Sequence, residues 1–185
     1  MKKLNIKNMN LYKSTSRFVN NYNNLKNKLN RKPTINELSE FDHLHYNGKE
    51  SVDQAIKNIN INHLSKVLDI GSGIGGPARY IAEKTNAQVL AIELQEDLNE
   101  IASYITSSYN INNNIKHIHA DFLKYDFKKI KVNKVVSWLA LYHMPDRDRL
   151  LKKINNLLVT NGFFFAEDFF LIKPLNNKKI NYLGN

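Results

Sequence analysis

The chain has 185 residues, 42% of them hydrophobic, a formal net charge of +10 and no cysteine. That is enough for one domain with a real core and too little for two ordinary ones. Disulfides, thiolate metal sites and a cysteine nucleophile are excluded, and no stretch approaches the roughly 18 consecutive apolar residues of a membrane span.

Residues 1–13 read as a loose arm. Lys2, Lys3, Lys7, Lys13, Arg17, Lys26, Lys28, Arg31 and Lys32 all precede the first acidic residue, Glu37. Lys, Asn and Ile recur along the whole chain, which favours a solvated basic arm over a nucleic-acid patch. An acid-free start bearing Ser and Thr also leaves an organelle transit peptide open, beside the cytoplasmic location that a cysteine-free chain without an apolar signal core suggests.

Phe18, Tyr22, Leu25 and Leu29 fall at helical spacing, and Pro33 ends that helix. Thr34 with Glu37 three residues on forms the capping box of a second helix. It runs towards His45-Tyr46-Asn47-Gly48, where Asn-Gly predicts a turn, and a third helix carries Val52, Ala55, Ile56 and Ile59. Residues 1–50 are therefore expected to form an arm and a helical lid, and residues 51–185 a ligand-binding domain.

From here strands and helices alternate. Strands are expected at 66–70, 88–94, 117–121 and 134–141, and a Thr160-Asn161-Gly162 turn leads to a fifth at 163–166. Between them, one helix places Leu98, Ile101, Ala102, Ile105 and Tyr109 on its apolar side, and another buries Leu150, Leu151, Ile154, Leu157 and Leu158. This alternation predicts an α/β fold, a doubly wound and mostly parallel sheet.

In such a sheet the ligand sits at the carboxyl ends of the strands. The first strand ends in Asp69-Ile70-Gly71-Ser72-Gly73-Ile74-Gly75-Gly76. The glycines permit a sharp turn and close approach of a ligand to backbone. A dinucleotide fingerprint also fits the glycines, but Asp69 suits a cofactor carrying an ammonium group better than one carrying a pyrophosphate. Glu93 ends the second strand, followed by Leu94, and Asp121 ends the third, followed by Phe122. Ser72 in the turn and Ser137 on the fourth strand are further candidate contacts.

The run Val67-Leu-Asp-Ile-Gly-Ser-Gly-Ile-Gly-Gly-Pro-Ala-Arg-Tyr80 resembles the cofactor motif of class I S-adenosylmethionine-dependent methyltransferases. Its Gly-Gly-Pro-Ala-Arg form is similar to the branch containing phosphoethanolamine, sarcosine/dimethylglycine and tocopherol-type methyltransferases. The resemblance implies S-adenosyl-L-methionine as cofactor, with Gly71, Gly73 and Gly75 at its methionine end, Glu93 at the ribose, and Asp121 with Phe122 at the adenine. It implies methyl transfer to a small-molecule acceptor, an amine or a lipid-like metabolite. It also puts His45 to Gly48 in a lid over the cofactor, with Asn47 standing where a glycine is usual.

Phosphoethanolamine methyltransferases carry an Asp where Leu139 lies and a His matching His143. His143 is the candidate base or orienter of the acceptor and Tyr46 the candidate lid contact, each with a purely structural role as its competitor. His43, His45 and His143 lack supporting carboxylates at ligand spacing, so no metal is expected. Class I enzymes continue past the fifth strand, whereas Leu171 to Asn185 is too short for those elements. The C-terminal strands are thus expected to be missing and the sheet edge to need cover, such as a partner chain. Competing readings are a non-catalytic cofactor-binding module, a lipid-directed enzyme of the cyclopropane-synthase kind, and a nicotinamide-dependent oxidoreductase, against which Asp69 argues.

Overall fold

The structure, a computed structural model, describes residues 14–144 and 146–169. The basic arm expected over residues 1–13 and the polar run after Leu171 lie outside the described residues. Three helices come first: α1 (Ser16–Leu29), α2 (Ile35–Asp42) and α3 (Gly48–Asn58). Both halves of the capping box at α2 are formed, the Thr34 hydroxyl accepting from the Glu37 amide and the Glu37 carboxylate from the Thr34 amide. At the Asn-Gly turn the left-handed residue is Gly48, with φ of +47°. Asn47 keeps a negative φ of −94°, which any residue adopts, so its side chain costs the turn nothing.

Then come β1 (Lys66–Ile70), α4 (Gly76–Thr85), β2 (Gln88–Glu93), α5 (Glu96–Ser107), β3 (Ile115–His119), β4 (Val132–Trp138), α6 (Arg147–Leu157) and β5 (Leu158–Glu167). The strands form one sheet in the order β3-β2-β1-β4-β5, and every pairing is parallel. The order reverses between β1 and β4, which opens a crevice at their carboxyl ends.

Strand alternation sorts the core into two layers. Val67, Val89, Ala91, Val136 and Trp138 face α3 and α4, where Val52, Ala55, Ala78 and Ile81 meet them. Leu68, Ile70, Ile92 and Val135 face the other way, against Leu150, Ile154 and Leu157 of α6. A third cluster joins Phe18, Tyr22, Ile35 and Leu38 to Leu98, Ile101 and Ile105 of α5, which docks the N-terminal helices on the sheet domain.

Three expectations need correction. Leu151 is 53% exposed and Leu158 begins β5, because α6 is only 11 residues long and its buried stripe is Leu150, Ile154 and Leu157. The fourth strand stops at Trp138, since Leu139 takes a left-handed φ of +50° and Leu141–His143 is a short 3-10 turn. The Thr160 to Gly162 turn does not precede the last strand but lies inside it. The pairing jumps from Val132↔Leu158 to Lys134↔Phe163, with Asn161 at φ +62° in the excursion.

Arg79 ties the lid to this frame. Its guanidinium is fully buried and donates to the Asp42 carboxylate at 2.9 Å, to the Ala102 carbonyl at 3.3 Å and to the Thr106 hydroxyl at 3.2 Å. Removing Asp42 leaves that cation uncompensated in the interior. Asp42→Ala is expected to lower unfolding stability by about 3–5 kcal/mol, measured by urea denaturation followed by circular dichroism. A loss within error of zero would show that the pair is not what holds α2 in place.

Candidate functional site

The strand ends and the lid enclose a cavity of about 710 Å³. Its walls come from the glycine turn after β1, the residues following β2, β3 and β4, and the segment His43 to Tyr46. Of the residues singled out in the sequence, Gly71, Gly73, Glu93, Leu94, Asp121, Phe122, Tyr46 and His143 line it.

Asp69, Ser72, Gly75 and Ser137 do not line it, each for a visible reason. Asp69 is 1% exposed and, two residues from Val67, points to the sheet face covered by α3 and α4. Ser72 is buried in the turn. A Cβ on Gly75 would meet His117 at 2.8 Å and Arg79 at 3.0 Å, so the missing side chain there lets α4 pack closely. Ser137 is fully buried and its hydroxyl donates to the Ile70 carbonyl at 2.8 Å, fastening β4 to β1.

The turn itself departs from a nest of free donors. The Gly71 and Ser72 amides both donate to the Ile92 carbonyl, at 2.9 and 3.1 Å, and the Gly75 amide to the Ser72 carbonyl at 2.9 Å. The Gly73 amide donates to the Glu93 carboxylate at 2.8 Å. What the glycines provide is room: at Gly73, with φ of +54°, a Cβ would press on Leu44 of the lid at 3.3 Å.

Glu93 is a clasp. One carboxylate oxygen takes the Gly73 amide and the other the Gln95 amide at 2.8 Å, joining the end of β2 to the turn after β1. Burial pushes its carboxyl up, and the amides of Gln95 and Gly73 oppose that. Asp121 accepts the Leu123 amide at 3.0 Å beside the buried ring of Phe122.

On the opposite side, His143 sits on the 3-10 turn after β4. Burial pushes its imidazole below the usual range, with Asp168 opposing. Tyr46 is 77% exposed at the mouth.

The lid expected from His45 onward begins earlier, with His43 and Leu44 lining the cavity beside His45 and Tyr46. His43 and His45 stack at 5.4 Å, and His45 stacks on Trp138 at 5.5 Å. Burial, then the neighbouring His43, pushes His45 down to about 4, so the pair is neutral at pH 7. The signal available was the short His-Leu-His spacing after α2, which does not reveal what the rings stack against. Tyr142 and Phe169 also reach the cavity, and no local sequence pattern marks them.

The family described as "Methyltransferase domain" matches residues 67–162, just over half of the chain. The sterol 24-C-methyltransferase of Saccharomyces cerevisiae is 33% identical over 98 residues, 53% of this chain and 26% of that protein. The sarcosine/dimethylglycine N-methyltransferase of Halorhodospira halochloris is 33% identical over 104 residues, 56% of this chain and 37% of that protein. The chain thus spans well under half the length of these relatives. Among solved structures, the phosphoethanolamine N-methyltransferase 2 of Haemonchus contortus, in complex with S-adenosyl-L-methionine, superposes with a TM-score of 0.69 at 21% identity. That alignment covers 77% of this chain and 34% of the other, and it shows a common fold.

Asp69 generates a prediction of its own. Burial, reinforced by the nearby Glu93, raises its carboxyl from 3.8 to about 8. The folded state therefore holds a proton that the unfolded chain gives up, and the stability this contributes is lost as pH rises from about 4 to about 8. Over that window the parent is expected to lose up to about 1.4 kcal/mol per pH unit relative to Asp69→Asn, the slope of one proton. Thermal melts of both proteins across the range check it; parallel curves would show Asp69 ionised in the fold.

Proposed function

The chain belongs to the methyltransferase domain family, and on that premise we propose that it binds S-adenosyl-L-methionine in this cavity and transfers its methyl group to a small-molecule acceptor. The observation that carries the reading is the convergence of three successive strand ends. The glycine turn after β1, Glu93 at the end of β2, and Asp121 with Phe122 after β3 wall one side of a single cavity, with His143 after β4 across from them.

The residues fit such a cofactor. Asp69 Oδ2 and the Ser72 hydroxyl lie behind the cavity wall at the turn, buried with no hydrogen-bond partner, and a bound group able to supply donors there would satisfy them. The backbone at Gly73 leaves space that a side chain would fill. In this reading Gly71 and Gly73 pass close to the methionine end, Glu93 holds the ribose hydroxyls, and Asp121 with Phe122 holds the adenine edge and ring. Leu94 covers the adenosine. The bound cofactor supplies an electrophilic methyl group on a sulfonium.

The chain's own contribution is orientation and exclusion of water. Glu93 keeps the turn in register with β2, and the lid segment from His43 to Tyr46 roofs the cavity. A neutral His143 is able to take a proton from an acceptor that must lose one, because burial keeps its Nδ1 or Nε2 unprotonated near pH 7. Tyr46 covers the acceptor side of the mouth.

S-adenosylhomocysteine is expected to bind, and NAD not to bind, in calorimetric titrations. Glu93→Ala is expected to weaken S-adenosylhomocysteine by about 2–3 kcal/mol, the order for charge-assisted hydrogen bonds lost from a buried site. Equal affinities in parent and variant would remove Glu93 from the site, and binding of NAD alone would replace the methyl-transfer reading with a nicotinamide one.

A further inference from the structure

The mouth of the cavity beyond Leu139 is ringed by aromatic side chains left open to water. Tyr46, Tyr142 and Phe169 are 77%, 40% and 54% exposed, and all three line the cavity. The ring of Phe169 meets Tyr46 at 5.8 Å and Tyr142 at 5.2 Å, both edge to face, so the three make one continuous patch. They arrive from separate parts of the chain: the lid, the turn after β4 and the end of β5. Scattered exposed aromatics need no explanation, but their convergence on the rim of a concavity marks a binding surface.

Charge narrows what that surface takes. Among the described lining residues the carboxylates are Glu93, which ends β2, and Asp121, which follows β3, on the other side of β1 from the rim. Asp168 sits next to Phe169, yet its two oxygens accept the Tyr142 amide at 2.9 Å and the Phe169 amide at 2.7 Å. Glu167 accepts from Asn47 at 3.1 Å and is not part of the cavity wall. Beneath the rim the wall continues in Trp138, Leu139 and Met144. An ammonium entering here would find aromatic rings and aliphatic carbon but no lining carboxylate on this side to pair with, so cation–π contact would have to offset its lost hydration alone. A hydrocarbon skeleton would cover the same surface with gain.

Building on the methyl-transfer reading of the cavity, we infer that the Tyr46–Tyr142–Phe169 rim is a subsite for the hydrocarbon body of an uncharged, isoprenoid-like acceptor, and not for a cationic amine. The lid contributes one ring of the subsite, so acceptor binding and lid closure share a surface.

Trp138 is the sole tryptophan of the chain and lines the same end of the cavity, which makes its emission a local probe. The full chain is titrated with farnesol, choline and sarcosine, each with and without S-adenosylhomocysteine, and S-adenosylhomocysteine binding is measured separately by calorimetry. Farnesol is expected to change the emission saturably and the two amines to leave it flat. A Tyr142→Ala/Phe169→Ala double variant is expected to weaken farnesol about tenfold, in proportion to the aromatic area removed, while binding S-adenosylhomocysteine like the parent. A saturable response to choline or sarcosine with none to farnesol would make the rim a cation box and overturn the inference. So would silence towards all three, or a double variant that binds farnesol unchanged. Failure of the parent to bind S-adenosylhomocysteine would count against the methyl-transfer reading, whereas S-adenosylhomocysteine binding without a farnesol response counts against the rim alone.

Discussion

The architecture depends on the buried guanidinium of Arg79. Arg79 projects from α4 into a space with no access to water, and its guanidinium is shared between Asp42 at the end of α2 and the Ala102 carbonyl and Thr106 hydroxyl of α5. A charge in that place is tolerable only with its partners in position, so the lid helix, the helix after the glycine turn and α5 are constrained together. The close approach this demands explains the second glycine of the Gly75-Gly76 pair. A Cβ on Gly76 would collide with the Asp42 backbone. His117, whose Nε2 lies 2.9 Å from the same Thr106 hydroxyl, is pushed down to about 3 by burial and then by Arg79, and so adds no second charge.

That constraint leads directly to the cavity. Because α2 must end against α4, the residues that follow it, His43 to Tyr46, have to pass over the glycine turn, and they become its roof. The His43–His45–Trp138 stack then fixes the roof to the end of β4, and Asn47 to Glu167 fixes it to the end of β5. A lid held at both ends over a strand-end crevice gives an enclosed site whose two sides differ. The side under β2 and β3 carries carboxylates and backbone clasps. The side under β4 and β5 carries neutral imidazole, aromatic rings and aliphatic carbon, a division suited to a polar cofactor and a less polar acceptor.

Much of this was legible from residue order. The period-two and period-3.6 patterns mark the alternation of strands and helices, and Thr34 with Glu37 announces the start of α2, because such signals act within one turn or one strand. Asp69, Glu93 and Asp121 stand out as acids at strand ends for the same reason. The strand limits were less legible. An apolar run such as Val135 to Leu141 looks continuous, while the left-handed Leu139 that ends β4 is set by the carbonyl of Glu167 on the neighbouring strand, which takes its amide at 2.8 Å. The excursion at Asn161 inside β5 is likewise a matter of register against β4.

The sequence by itself determined the fold class, the glycine turn, the strand-end acids and the family, since each rests on contacts between residues close in the chain or on a contiguous motif. Tertiary structure alone decided which of those residues face the cavity. Asp69, two residues before the lining Gly71, and Ser137, beside the lining Trp138, both turn into the core, because alternation assigns faces but only the packed helices show which face is covered. It also decided what the aromatic residues do. Tyr46 lies far along the chain from Tyr142 and Phe169, and no local pattern reports that a buried guanidinium more than 60 residues from Tyr142 helps to bring the lid over the same opening.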